Sequence, residues 1–188
     1  QLMISTEGVV SVRLAKNSFL ITPTHKDRRL IDISDIVLIK DQQREAGKLP
    51  SRSVLVHDRI YRDHPWVEAI ISGQPPHSTA FSLAESNFDT RSIPESYILL
   101  RDIQRMPFGP QFTEERLVSE AIGKEHPVVL LENDAIMTVG KTLLEAFDRL
   151  EVAEFSARSL LDARQLGGLV AIGESEIEAL KEKFLLAG

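Results

Sequence analysis

The stretch "VEAIISGQPPHSTAFSLA" (residues 67–84) places polar side chains where chemistry could use them. An apolar run enters a turn rich in Gly and Pro, and a helix of small residues follows. The turn sets Ser72 and Gln74 side by side, an arrangement that suits a pair of ligands. A hydroxyl and an amide hydrogen-bond well but ligate zinc poorly. His77, three residues on, brings an imidazole that could line a pocket or move a proton, or simply make a structural hydrogen bond at the helix start. "LPSRS" (49–53) is a second such stretch. Ser51 and Arg52 at a helix N-terminus could bind phosphate or carboxylate through free N–H groups, the helix dipole and a guanidinium fork. Equally, they could be a capping serine and a solvated arginine. Asp134, in a tight turn, adds a single carboxylate. An oxygen-only site for a hard cation normally needs about six ligands, and these residues supply fewer.

Composition limits the partners. The chain has 188 residues, 43% hydrophobic and 27% charged, with a net charge of −6. That is an ordinary soluble composition, long enough for one domain, 1–188, with a sizeable core. Clustered Lys and Arg are lacking, so no nucleic-acid partner is expected. No apolar run approaches the ~20 residues of a membrane span, so no membrane role is expected. The opening residues lack the basic-then-apolar pattern of a secretory leader. With no cysteine there are no disulfides, thiolate metal sites or cysteine nucleophiles, which fits a reducing, cytoplasmic setting.

The elements that must position these residues follow from periodicity and punctuation. Residues 8–14 and 18–22 read as a β-hairpin and 35–40 as a third strand. Residues 51–65 read as a helix with Leu55, Val56 and Ile60 on one face and Ser51 or Ser53 as cap, stopped by Pro65. Residues 67–72 read as a buried strand and 76–86 as a helix with Pro near its first turn. "SYILL" (96–100) reads as a strand, and 112–124 as an amphipathic helix capped by Thr113. Two strands, 127–133 and 135–140, flank Asn133-Asp134. One long helix spans 141–167, with Leu143, Ala146, Phe147, Leu150, Ala153, Ala157, Leu160 and Leu161 at helical spacing. A last helix over 175–188 is capped by Ser175. The whole reads as one α/β domain.

In order along the chain, "GVVSVRL", "FLITPT", "LPSRSVLVHDRIYRDHPWVEAII" and "VVLLENDAIMTVGKTLLEAFDRLEVAEFSAR" resemble segments of the class II aldolase/adducin family. The resemblance runs from about residue 8 to about residue 168. It implies a three-layer fold, a central mostly antiparallel sheet covered by helices on both faces. It also implies a sugar-phosphate aldolase ancestry, in which three histidines hold zinc and a glutamate moves the proton. The metal stabilises the enediolate formed when a C–C bond breaks.

Residue by residue, the resemblance puts the His-x-His pair on Ser72 and Gln74. The third histidine falls on Asp134 and its glycine on Ala135. The acid/base glutamate falls on Ser53, and an asparagine on Val9. Ser51 keeps one serine of the phosphate-binding pair, while Arg52 takes the other. His25 stands where the family tends to have glycine, and Tyr97 near where some members place a tyrosine from an adjoining subunit. The expectation is therefore a family member without the zinc cofactor and without metal-dependent aldolase activity. It would bind a small phosphorylated or carboxylate ligand through Ser51, Arg52, Gln74 and His77, and form a homo-oligomer, a tetramer by resemblance. The alternatives are a lyase with a rearranged site drawn from Ser51, Arg52, Gln74, His77 and Asp134, and a purely structural module.

Overall fold

The computed structural model describes residues 2–185. Its centre is an eight-stranded sheet. The strands are β1 (Val9–Ala15), β2 (Ser18–Ile21), β3 (Val37–Lys40), β4 (Gln43–Arg44), β5 (Ala69–Gly73), β6 (Gln104–Met106), β7 (Val128–Leu131) and β8 (Ala135–Gly140). They lie in the order β4-β3-β2-β1-β5-β8-β7-β6. Every pairing is antiparallel except β6 with β7. β5, buried at all five positions, sits at the centre with helices over both faces, so its sequence is apolar without a polar alternation.

Alternate residues send side chains to opposite faces and build two cores. On one face Val9, Ile21, Ile39, Ile70, Val129 and Met137 pack under α1 (Val54–Asp63) and α5 (Glu115–Ala121). On the other, Ala69, Ile71, Val128, Leu130 and Ile136 pack under α2 (Pro76–Leu83), α3 (Pro94–Leu100) and α6 (Leu143–Gln165). This is the three-layer arrangement that the resemblance implied. Two further helices are α4 (Pro110–Thr113) and α7 (Glu174–Phe184).

Several expectations need correction. "SYILL" is helical, the end of α3. Pro94 opens that helix, and Ser96, Tyr97 and Leu100 are buried at helical spacing, with Ser96 hydrogen-bonded to Ser156 of α6. Residues 112–124 divide into α4 and α5 with a break at Glu114, and Thr113 caps neither. Within α1 the buried face is Val56, His57, Ile60 and Tyr61, while Leu55 points outward. Val56, Ile60 and their partners recur at i and i+4, which leaves Leu55 on the opposite side of the helix. Helix α7 begins at Glu174 with Gly173 at the cap position, so Ser175 lies inside it and bonds Glu176 instead of capping. The expected extension of that helix over 186–188 lies outside the described residues.

Beneath α1 lies a closed polar cluster. The Ser11 hydroxyl is 2.7 Å from His57 Nδ1 and 2.7 Å from the Tyr61 hydroxyl, and His57 is fully buried. A serine beside a histidine suggests a nucleophile, but both are buried away from solvent, and His57 Nε2 has no partner among the described residues. Burial pushes the His57 imidazole down to about 3. The unfolded chain, with histidine near 6.5, binds the extra proton between those two values, so stability is full above about pH 6.5 and falls as the pH drops toward 3. Lowering the pH from 7 to 5 is expected to remove about 2 kcal/mol of folding free energy through this residue. Urea melts at both pH values check it, and the His57→Gln variant should lack that part of the slope.

Candidate functional site

A cavity of about 440 Å³ opens on the α1 face of the sheet, at the end where β5 leaves it. Strand register assembles its floor. Ser72 pairs with Val9 on one side and Met137 on the other, so these three line up across β1, β5 and β8 and face the same way. Gln74 follows directly after β5. The β7–β8 turn carries Asp134 to the same end, because β8 pairs with β5. Asn133 takes the left-handed conformation of that turn (φ 56°), which asparagine tolerates well. The opening segment crosses this edge closely. A Cβ on Gly73 would sit 2.6 Å from the Leu2 carbonyl oxygen, which accepts a hydrogen bond from Gln74 N–H. Gly8, at φ 85°, brings the chain past Ser72 on its way into β1.

The other wall is the start of α1 with Ser51, Arg52 and Ser53. No side chain caps this ten-residue helix. Ser53, at the cap position, leaves its hydroxyl out of the role, and Ser51 Oγ accepts only a long 3.4 Å bond from Ser53 N–H. Arg52 is 78% exposed and 3.4 Å from Glu7, an open rim contact that an incoming anion can displace. Arg28 is more committed. It donates to the Gly8 carbonyl at 2.8 Å and the Pro23 carbonyl at 2.7 Å, pinning the loops that frame the cavity, and burial pulls its guanidinium down from the ordinary range. His25, exposed on the same rim, holds φ 57°, a conformation suited to glycine.

The three floor groups differ in satisfaction. Ser72 is 7% exposed, and its Oγ has no hydrogen-bond partner among the described residues. Gln74 Oε1 is likewise buried and unpartnered. Asp134 Oδ2 accepts from Gln111 Nε2 at 3.1 Å. The floor is therefore not a remnant in which Ser72, Gln74 and Asp134 satisfy one another.

Of the residues singled out in the sequence, Ser51, Arg52, Ser53, Ser72, Gln74 and Asp134 all line this one cavity. His77 does not. Its ring Nδ1 is 2.6 Å from Glu154 of α6, on the opposite face of the sheet. The same carboxylate accepts from the N–H groups of His77 and Ser78 and caps α2. Burial pushes the Glu154 carboxyl up, but these hydrogen bonds outweigh it and hold it below its ordinary range. His77 is thus a structural contact between α2 and α6 and is removed from the binding candidates. His64 is half-buried and bonds the Ser119 carbonyl at 2.9 Å, tying α1 to α5. Tyr97 packs within α3.

Sequence reasoning missed Glu7, Arg28, Gln111, Phe112 and Glu115, which line the cavity too. Glu115 reads as a solvated helix face along the chain. Its place on the cavity wall depends on α4, which carries Gln111 to Asp134 in the β7–β8 turn and leads directly into α5. No pattern along the chain announces these residues.

With the geometry in place, comparison with known proteins adds the ancestry. The sequence model for the class II aldolase and adducin N-terminal domain matches residues 1–161. The chain belongs to the class II aldolase and adducin family. It is similar to the L-fuculose phosphate aldolase of Methanococcus vannielii, 28% identical over 157 residues covering 83% of this chain and 84% of the relative. It is also similar to the 3-oxo-tetronate 4-phosphate decarboxylase of Haemophilus influenzae, 29% identical over 161 residues covering 80% of this chain and 75% of the relative. Among solved structures, an L-fuculose 1-phosphate aldolase superposes with a TM-score of 0.86 at 26% identity, covering 97% of this chain and 88% of that one.

In this class II aldolase-family chain, the positions to which the family resemblance assigns the zinc ligands carry Ser72, Gln74 and Asp134. Their donors are a hydroxyl, an amide and a carboxylate already engaged by Gln111. These do not fit zinc, which takes imidazole nitrogen, thiolate or several carboxylates. Among the described residues, no group of three or more His, Cys, Asp or Glu is gathered closely enough to hold a metal ion. Of the five histidines only His25 lines the cavity.

Proposed function

We propose that this protein is a class II aldolase-family member that has exchanged the zinc-dependent aldol reaction for binding of a small phosphorylated or carboxylate ligand. The observation that carries it is the cavity floor. Neutral Ser72 and Gln74, both unpartnered, occupy the places where the family resemblance puts the histidine pair, and Ser53 occupies the place of the acid/base glutamate. The rearranged lyase site drawn from Ser51, Arg52, Gln74, His77 and Asp134 loses His77, because Glu154 holds it on the other face of the sheet.

What is kept is the anion end. An uncapped helix start, the Ser51 hydroxyl and the Arg52 guanidinium meet at one wall, and each favours negative charge. The relatives' names, sugar-phosphate aldolase and phosphate decarboxylase, support a phosphorylated ligand. The reading includes a homo-oligomer, tetrameric by the family resemblance. Leu143, Leu144 and Phe147, which rim an apolar groove on the α6 side, are surface that such an assembly would cover.

Metal analysis of protein purified without chelator, combined with calorimetric titration of inorganic phosphate, tests the reading. Expected are far less than one zinc per chain and saturable phosphate binding. Arg52→Ala should weaken that binding about tenfold, the loss of one charge-assisted hydrogen bond. Stoichiometric, tightly held zinc would overturn it.

A further inference from the structure

We infer that His25 is a further anion-binding residue of the cavity, and that the charge on its ring makes ligand affinity depend on pH. This rests on the ligand-binding reading and deepens it by adding a residue and a form of regulation to that site. His25 is exposed on the rim and lines the cavity. Backbone pairing delivers it there. The Thr24 N–H donates to the Leu49 carbonyl at 3.1 Å, the Ser51 N–H donates to the Thr22 carbonyl at 3.0 Å, and Pro23 and Pro50 face each other between these two bonds. The residue that leaves this bridge, His25, therefore borders the same cavity as Ser51 and Arg52.

The chain holds His25 at φ 57°. That conformation costs free energy for any residue with a Cβ, and it persists only where the surroundings over-determine it. Here one nitrogen of Arg28, Nη1, donates to the carbonyls of Pro23 and Lys26, one on each side of His25, at 2.7 and 3.2 Å. The neighbouring charges along the chain are spent, Lys26 on Asp35 and Asp27 on Arg29.

Charge balance gives the ring its role. The other charged groups facing the cavity are Glu7 before β1, Arg28 after β2, Arg52 at the start of α1, Glu115 on α5 and Asp134 in the β7–β8 turn. Three carboxylates outweigh two guanidiniums, so with a neutral imidazole the lining carries one net negative charge and opposes an anion. A protonated imidazole brings the lining to neutrality and offers the anion a charged N–H donor. Among these side-chain types histidine alone ordinarily changes charge between pH 5 and 8. Anion binding is therefore tighter on the acidic side of that range. By reciprocity, a bound anion keeps the ring protonated to higher pH.

Sulfate is the probe, because it keeps both its charges from pH 6 to 8 whereas phosphate titrates there. The intact protein is titrated with sulfate at pH 6, 7 and 8 and constant ionic strength. Affinity is expected to rise about tenfold from pH 8 to pH 6, the contribution of one charge-assisted hydrogen bond. His25→Asn, a residue that tolerates the left-handed conformation, should abolish the dependence, and His25→Lys should bind tightly at every pH. Should either variant fail to fold, the NMR shift of the His25 ring in the parent decides, since sulfate should move its titration to higher pH. A parent affinity that does not change with pH, or the same dependence in His25→Asn, would overturn this inference and leave the ligand-binding reading standing. Sulfate unbound at every pH would overturn it too, and if inorganic phosphate is unbound as well, that reading falls with it.

Discussion

Replacing Ser72, Gln74 and Asp134 together by histidine is expected to convert the cavity floor into a zinc site. Three imidazoles on this turn frame supply three nitrogen donors and leave a fourth position open, the arrangement zinc takes in catalytic sites. The frame to carry them is already present. β5 pairs with β8 through Ser72↔Met137 and Gly73↔Ile136, which fixes the Ser72–Gln74 turn against the turn bearing Asp134. Neither Ser72 nor Gln74 has a side-chain hydrogen bond to lose, and the cavity leaves room for larger side chains. An apparent binding free energy of about 10 kcal/mol is expected, the low end of the range for zinc held by protein ligands. Competition with a chromophoric chelator measures it. A soluble, folded triple variant that binds zinc no better than the parent would show that the three Cβ positions do not share the family's metal geometry.

Arg149→Ala is expected to cost roughly 3–5 kcal/mol of stability, because it breaks a buried pair and removes the donor that joins three elements. The side chain is 9% exposed on α6. Its Nε donates to the Leu99 carbonyl at the end of α3, one Nη to the Val139 carbonyl of β8, and the other to Glu145 at 2.6 Å. Burial pulls the guanidinium down from its usual range, with Glu145 acting in the opposite direction. Truncation leaves two carbonyls and a half-buried carboxylate without their donor. Lysine at this position should restore only part of the loss, since an ammonium on a flexible stem cannot span three acceptors that a planar fork reaches at once. Urea denaturation of the parent, Arg149→Ala and Arg149→Lys reads the three values. A loss below about 1 kcal/mol for alanine would mean that α6 is held by its apolar face alone.

The parts of the fold that periodicity reports were legible without coordinates. β1, β2, β3, β5, β7 and β8, and the helices α1, α2 and α6, stand near where alternation, helical spacing and punctuation placed them. The misread segment, 96–100, shows why pattern fails in short stretches. Tyr-Ile-Leu-Leu has the apolar run of a buried strand, and only the fit of Ser96 and Leu100 against α6 makes it a helix. Leu55 shows a related limit. Its side chain is as apolar as that of Ile60, yet it is 66% exposed at the mouth of the cavity beside Phe112.

The sequence by itself determined the donor types. A chain with Ser72, Gln74 and Asp134 at these places offers oxygen and amide groups whatever its conformation, because covalent identity sets ligand softness and charge. The family frame was also readable, since many spaced apolar and turn residues must agree to build one sheet. The tertiary structure alone decided which polar groups were left over. His77 looked like a site residue until Glu154, 77 residues away along the chain, was found against it. Ser72 and Gln74 stand side by side along the chain, but β-sheet register and the turn leave Ser72 Oγ and Gln74 Oε1 buried and without a partner among the described residues. Hydrogen bonding is directional and short-ranged, so whether a polar atom is spent or free depends on contacts between distant segments, which no local pattern encodes.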